Sequence, residues 1–190
     1  MLLPFKNNTF VTIYADPAWP EVGGGRIKRG AARHYSLMTV ETIQNMAEEV
    51  RRISQANSHC YLWTTNNFLP AALEVLAAWG YQYKTLITWA KDRFGLGQYY
   101  RGMTEHCLFG VRGNIPYQVR SDGVRAQGRT LLLAQRLKHS QKPEQMREWL
   151  MAVSPGPYLE LFARHETPGW TTWGDQVTYQ SKTLPLLLGV

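Results

Sequence analysis

The chain is short of cysteine, of acidic residues and of long apolar runs, and each shortage excludes something. Its two cysteines, Cys60 and Cys107, are too few for a disulfide framework, and both fall in apolar, strand-like runs that suit buried free thiols. A zinc site needs more cysteines or closely spaced histidines, so no metal is expected. No stretch approaches the ~20 consecutive apolar residues of a membrane-spanning helix. The apolar part of MLLPFKNNTF is shorter than the ~7–15-residue core of a signal peptide. A cytoplasmic protein without membrane association is the resulting expectation. Internal repeats and low-complexity segments are missing as well.

What is present reads as one domain over residues 1–190. A chain of 190 residues buries roughly 70% of its unfolded surface and needs no covalent staple. With 44% hydrophobic residues, seven Trp and ten Tyr, it is not intrinsically disordered. The acid shortage leaves 14 Asp and Glu against 21 Lys and Arg, a net charge of +7. Such a balance points to a polyanionic partner, nucleic acid first.

Short apolar runs alternate with helical periodicity. Strands are predicted at residues 10–15, 60–63, 84–89, 106–111, 130–133 and 158–162. Thr39 is placed to cap a helix whose face carries Ile43, Met46, Ala47, Val50 and Ile53. Asn66 or Asn67 is placed to cap a second, with Leu69, Ala72, Leu73 and Leu76 on one side and Gly80 at its end. Pro143 opens a third, with Met146, Trp149, Leu150 and Val153 on one face. Continuous apolar strands separated by helices predict an α/β fold, a doubly wound and mainly parallel sheet with helices on both faces. Ligands of such sheets bind beyond the carboxyl ends of the strands. Three basic, glycine-containing loops follow predicted strands and are expected to share that rim. Residues 20–38 carry Arg26, Lys28, Arg29 and Arg33, with His34 and Tyr35. Residues 91–103 carry Arg93 and Arg101. Residues 112–129 carry Arg120 and Arg125. Their arginines are candidate phosphate contacts.

Directly after the first strand stands Asp16-Pro17-Ala18-Trp19. An exocyclic amine on an aromatic ring is a poor nucleophile, because its lone pair is delocalised into the ring. Two acceptors aimed at its N–H bonds favour a more tetrahedral nitrogen. The Asp16 carboxylate supplies one and the Pro17 carbonyl the other. Trp19 offers a ring on which an unstacked base can stack.

These residues and others in order resemble the MT-A70 family of adenine-N6 methyltransferases. The family's Asp-Pro-Pro-Trp stands here as YADPAW, residues 14–19. HYSLMT, LWTTNNFL, WGYQYKTLITWAK, TEHCLFGVRGN, SQKPEQM, LELFAR and GWTTWGDQ follow in family order. The resemblance covers about residues 10–176 and leaves 177–190 as a C-terminal tail. It implies a Rossmann-like methyltransferase fold and S-adenosylmethionine as donor. The catalytic motif then precedes the main cofactor-binding strand, which accounts for the missing glycine-rich fingerprint near the N-terminus. By the resemblance Lys142 meets the donor's carboxylate and Asp16 its amino group. Arg164, His165 and Glu166 lie near the ribose, and Asp175 and Gln176 contact ribose or adenine. Glu160 is either a cofactor contact or a structural partner of an arginine. Ala18 replaces the family's second proline, which implies a less rigid turn.

The expectation is therefore a DNA adenine-N6 methyltransferase that uses Asp16, Pro17 and Trp19 on a flipped base. Alternatives are an RNA adenine-N6 methyltransferase, or a non-catalytic nucleic-acid-binding subunit of the same family. A homodimer or a second family subunit is the expected protein partner.

Overall fold

Apolar side chains run almost continuously along the strands, so a sheet built from them has two faces to cover. The computed structural model describes residues 2–20, 37–95, 99–114, 118–137 and 141–177. The elements run β1 (Phe10–Ala15), α1 (Val40–Gln44), α2 (Ala47–Ile53), β2 (Ser54–Thr64), a 3₁₀ turn (Asn66–Phe68), α3 (Leu69–Ala78), β3 (Gln82–Ala90), β4 (Thr104–Arg112), β5 (Leu131–Leu133), α4 (Gln145–Val153), β6 (Tyr158–Leu161) and β7 (Trp170–Trp173). They form one seven-stranded sheet in the order β5-β3-β4-β2-β1-β6-β7. Six strands point the same way. β4 alone is reversed, antiparallel to both β2 and β3.

The central strands feed both faces. Ile13, Cys60, Leu62, Leu108, Leu159 and Leu161 join Ile43, Met46, Val50, Ile53, Val75, Leu76 and Trp79 from α1, α2 and α3 on one side. Tyr14, Tyr61, Trp63, Trp89, Cys107 and Trp170 join Met146 and Leu150 of α4 on the other. The expected doubly wound α/β sheet is thus present. The connections from β1 lead through α1 and α2 to β2, whereas β6 on its other side is reached through α4 on the opposite face. The strand order therefore reverses between β1 and β6, and their carboxyl ends flank a crevice. No helix among the described residues is long and apolar enough to cross a membrane.

Several local expectations change. The single helix expected after Thr39 is two. Thr39 does cap the first, its side chain accepting from the Thr42 N–H. The Ile43 carbonyl would receive the residue-47 amide in an unbroken helix, but it accepts the Trp79 indole N–H at 2.9 Å. Met46 N–H then closes on Ile43 at 3.3 Å in a tighter turn. Neither asparagine caps α3, whose preceding residue is Phe68 and has no capping side chain. Asn66 Oδ1 instead accepts from Thr104 Oγ1 at 3.2 Å and from His106 Nε2 at 2.5 Å. β7 is an additional strand. Its hydrogen-bonded edge is supplied by β6 alone, so its WTTW sequence carries only weak alternation as a guide.

The largest correction follows from the reversed β4. Its outgoing loop leaves at the amino ends of the other strands, opposite the end of β1. Gln118 there donates to the Ser154 carbonyl at 2.7 Å, just before β6. Val119 bridges Arg125, and Arg120 pairs with Asp122 in the same exposed hairpin. Arg120 and Arg125 are therefore not on the rim expected for nucleic acid. By the same reversal, the start of β4 comes to that rim.

Two stability predictions follow from this packing. A Cβ on Gly110 in β4 would approach Leu76 Cδ1 and Tyr81 Cβ at 3.0 Å each. Gly110→Ala should destabilise by about 1–3 kcal/mol in chemical denaturation. His59 is buried, its Nδ1 2.7 Å from Ser154 Oγ, and burial lowers its pKa to about 4. Protonation thus favours the unfolded chain, whose histidine titrates near ~6.5. Stability should fall from about pH 6.5 toward pH 4, by about 3 kcal/mol for this group. Denaturation across that range should show a shallower acid limb in His59→Gln than in the wild type.

Candidate active site

The carboxyl end of β1 places Asp16 on the rim, and the segment before α4 brings Lys142 across to it. Lys142 Nζ donates to Asp16 Oδ2 at 2.6 Å and lies 3.2 Å from Glu105 Oε2. Glu105 also receives Lys91 Nζ at 2.5 Å. Glu105 is the second residue of the reversed β4 and pairs with Trp89 near the end of β3. Each ammonium also faces an indole ring, Lys142 over Trp63 at 5.4 Å and Lys91 over Trp89 at 4.8 Å. Burial alone would discharge Lys142, but the carboxylates of Asp16 and Glu105 outweigh it and hold its pKa above the ordinary lysine value. Burial likewise pushes Glu105 up, and Lys142 and Lys91 reverse this, leaving its carboxyl below the usual range. Lys142 and Glu105 are thus both charged at neutral pH.

The turn after Asp16 is braced by hydrogen bonds. Trp19 N–H donates to the Pro17 carbonyl and Met38 N–H to the Ala18 carbonyl, both at 2.9 Å. Trp19 Nε1 donates to the Trp63 carbonyl at 2.8 Å. These bonds supply order that the family's second proline would otherwise give. The Pro17 carbonyl retains a second lone pair for another donor. Trp19 does not meet its expectation as a stacking platform. It is 5% exposed, and its ring lies against Phe68 at 5.7 Å and 18°. Its amphipathic ring fits the core because the indole N–H finds a backbone acceptor there.

A cleft between the ends of β1 and β6 is lined by Asp16, Lys142, Tyr14, Glu160, Phe162, Arg164 and His165 among others. It is an open cleft whose space between atoms, open solvent included, is about 390 Å³. Phe162 adopts φ 63°, a left-handed conformation that is uncommon outside glycine. It turns the chain sharply out of β6 toward Arg164. Glu160 fulfils its structural alternative. Arg147 Nη2 and Nε donate to its two oxygens at 2.7 and 3.0 Å, and both residues are buried. A fork-to-fork pair of this kind leaves little of the carboxylate for a ligand. Arg147 also lies over the Tyr14 ring at 5.6 Å, and Tyr14 Oη accepts from Trp63 Nε1 at 2.7 Å. His165 Nδ1 donates to the Glu166 carbonyl at 3.3 Å. Glu166, Asp175 and Gln176 are exposed and do not line the cleft. The turn carrying Asp175 and Gln176 adjoins it, since Ala163 N–H donates to the Trp173 carbonyl at 2.9 Å.

Arg93 and Arg101 lie beyond β3 on the same rim as Asp16. The Arg93 side chain is 80% exposed, and Arg101 covers the Phe94 ring at 5.3 Å. Beside them Phe94, Tyr99 and Tyr100 are 58%, 95% and 92% exposed. These aromatics are absent from the expected site residues, although a Tyr pair in a basic loop is itself a signal. Lys91, Glu105 and Arg147 are also additions. Glu105 is hidden because a carboxylate at the start of an apparent forward strand points to the wrong end of the sheet. Arg26, Lys28, Arg29, Arg33, His34 and Tyr35 lie outside the described residues. Among the described residues, no group of three or more His, Cys, Asp or Glu side chains is arranged to hold a metal ion.

Comparison with known proteins gives the family. The MT-A70 family profile matches residues 10–176. The chain is 26% identical to the type II methyltransferase M.MunI of Mycoplasma sp, over 96% of this chain and 83% of that protein. It is 31% identical to a probable N(6)-adenosine-methyltransferase MT-A70-like protein of Oryza sativa subsp. japonica, over 88% of this chain. It is 30% identical to the human N(6)-adenosine-methyltransferase catalytic subunit METTL3, over 68% of this chain. It spans about a quarter of the length of each of these two eukaryotic relatives, 23% and 24%. With Asp16 at the β1–β6 crevice and the profile spanning nearly every described element, the chain belongs to the MT-A70 family.

Proposed function

We propose that the chain is an adenine-N6 methyltransferase acting on DNA, with S-adenosylmethionine as methyl donor. The observation that carries this reading is the pairing of the Asp16 carboxylate with the Pro17 carbonyl on a braced turn beside the β1–β6 cleft. Lys142 takes Asp16 Oδ2 at 2.6 Å and so holds the carboxylate in place. Two acceptors fixed before substrate arrives cost no reorganisation as charge develops on the amine nitrogen. Directed at the two N–H bonds of adenine, they localise the nitrogen lone pair and orient it for attack.

The cleft suits the donor chemically. Asp16 and Lys142 present adjacent charges of opposite sign, complementary to the ammonium and carboxylate of an α-amino acid. Phe162, Arg164 and His165 add an aromatic face and hydrogen-bond donors on the β6 side. Glu166, Asp175 and Gln176, exposed on adjoining turns, are available to a ribose or an adenine. When bound, S-adenosylmethionine supplies a methyl group on a positively charged sulfur, so transfer needs no covalent enzyme intermediate. The buried Glu160–Arg147 pair holds α4 against the sheet beneath this cleft.

A polymer substrate is supported by Arg93 and Arg101 on the Asp16 rim, by the exposed aromatics among them, and by the net charge of +7. Cationic and aromatic side chains together suit a phosphate backbone carrying unstacked bases. The near full-length match to a bacterial type II methyltransferase favours DNA. The identity to N(6)-adenosine-methyltransferases of rice and human favours RNA as the second reading. A homodimer or a second family subunit would complete either.

Incubation with isotopically labelled donor and either polymer, followed by mass spectrometry of the nucleosides, separates these readings. Labelled N6-methyldeoxyadenosine is expected. Label only in N6-methyladenosine would select RNA, and label in neither would remove the activity. Asp16→Ala should lower transfer by about 100-fold or more without unfolding the chain. Replacing Arg93 and Arg101 together by Ala should reduce the slope of log affinity against log salt by roughly 2 on duplex DNA. Replacing Arg120 and Arg125, at the far end of the sheet, should leave that slope unchanged.

A further inference from the structure

Asp16, Lys142, Glu105 and Lys91 form an unbroken chain of alternating charge, with contacts of 2.6, 3.2 and 2.5 Å. Their side chains are 22%, 9%, 15% and 15% exposed in that order. Water screens little at such depth, so each charge depends on its neighbours. The two indoles beneath, Trp63 and Trp89, meet edge to face at 6.3 Å and form a floor for the two ammonium groups. Lys142 belongs to the segment before α4, Glu105 belongs to β4, and Lys91 directly follows β3. The chain therefore joins three separate parts of the fold at the acceptor of the proposed reaction. Its placement is also unusual for a structural cluster, because Asp16, the member left most exposed, lines the cleft together with Lys142.

We infer that Glu105, supported by Lys91, is a positioning residue for the reaction proposed above, acting on Asp16 through Lys142. Glu105 draws part of the Lys142 charge toward itself. Asp16 is then oriented by a shared ammonium and keeps its strength as an acceptor for the adenine amine. Without the Glu105 charge, Lys142 would neutralise Asp16 alone. Asp16 would be a weaker acceptor, and Lys142 would be anchored at only one carboxylate. Lys91 sets the other end, fixing the Glu105 carboxylate between two cations. The inference rests on the methyltransferase reading, and it adds two residues that touch neither substrate nor donor.

The test uses the full chain and two independent readouts. In donor-free protein, acetylation by an N-hydroxysuccinimide ester is followed at Lys142 by peptide mass spectrometry. Glu105→Gln should raise the Lys142 rate at least fivefold, because loss of a neighbouring anion frees and deprotonates the amine. Exposed Lys6 serves as the internal control and should be unchanged. In turnover assays with the methylated polymer, Glu105→Gln should lower kcat at least tenfold while KM for the donor stays within threefold. Lys91→Met, which leaves Glu105 on Lys142, should lower kcat by a smaller factor and gives a second variant should the first fold poorly. Retention of kcat within twofold in both variants overturns the inference. So does a loss matched by equal losses of melting temperature and donor affinity, which marks a purely structural cluster. If the wild type transfers no methyl group, the functional reading fails separately, and an unaltered Lys142 acetylation rate in Glu105→Gln overturns the linkage by itself.

Discussion

Lys142 carries a buried positive charge that the surrounding sheet cannot solvate. Removing an ammonium from water costs several kcal/mol, and the loss is recovered only where carboxylates meet it at good geometry. Here that requires the end of β1, the start of β4 and the segment before α4 to converge within hydrogen-bond distance. The position of Asp16 is consequently a property of the whole sheet rather than of one loop. The Trp63 and Trp89 indoles enclose the same charges from below. Even the Trp19 side chain, buried against Phe68 and bonded to the Trp63 carbonyl, belongs to this support and not to the ligand surface.

The cleft beside this network inherits its chemistry from the neighbouring strands. On the β6 side Arg147 occupies both oxygens of Glu160, so a buried acid and base cancel locally while packing α4 onto Tyr14. On the β1 side the charges alternate and end at Asp16. The proposed binding of a zwitterion and a cationic sulfur next to a polyanion would need this separation of roles. Buried pairs fix geometry, and partly exposed groups meet ligands.

Much of the arrangement was legible along the chain. Six of the seven strands and all the principal helical faces follow from apolar spacing, and Asp16 stands out because a carboxylate directly follows a buried strand. Lys142 was legible through family resemblance, but its partner Glu105 was not. Periodicity reports which face of a strand is buried without reporting the direction in which the strand runs. The reversal of β4 therefore leaves no mark along the chain, and neither do the arrival of Glu105 and the departure of Arg120 and Arg125. Trp19 and Glu160 illustrate a second limit. An indole or a carboxylate near a motif has the same appearance whether it faces a ligand or a partner inside the fold.

Local chemistry along the chain was enough to specify a two-faced α/β sheet, an Asp-Pro turn after its first strand and a basic surface. These depend on side-chain type and on spacing over a few residues. Tertiary structure decided which rim each loop occupies, which carboxylates share Lys142, and which aromatic rings remain in solvent. Those outcomes depend on strand direction and on contacts such as Lys142 with Asp16, formed between residues far apart in the chain. Their energies arise only when distant groups are desolvated together.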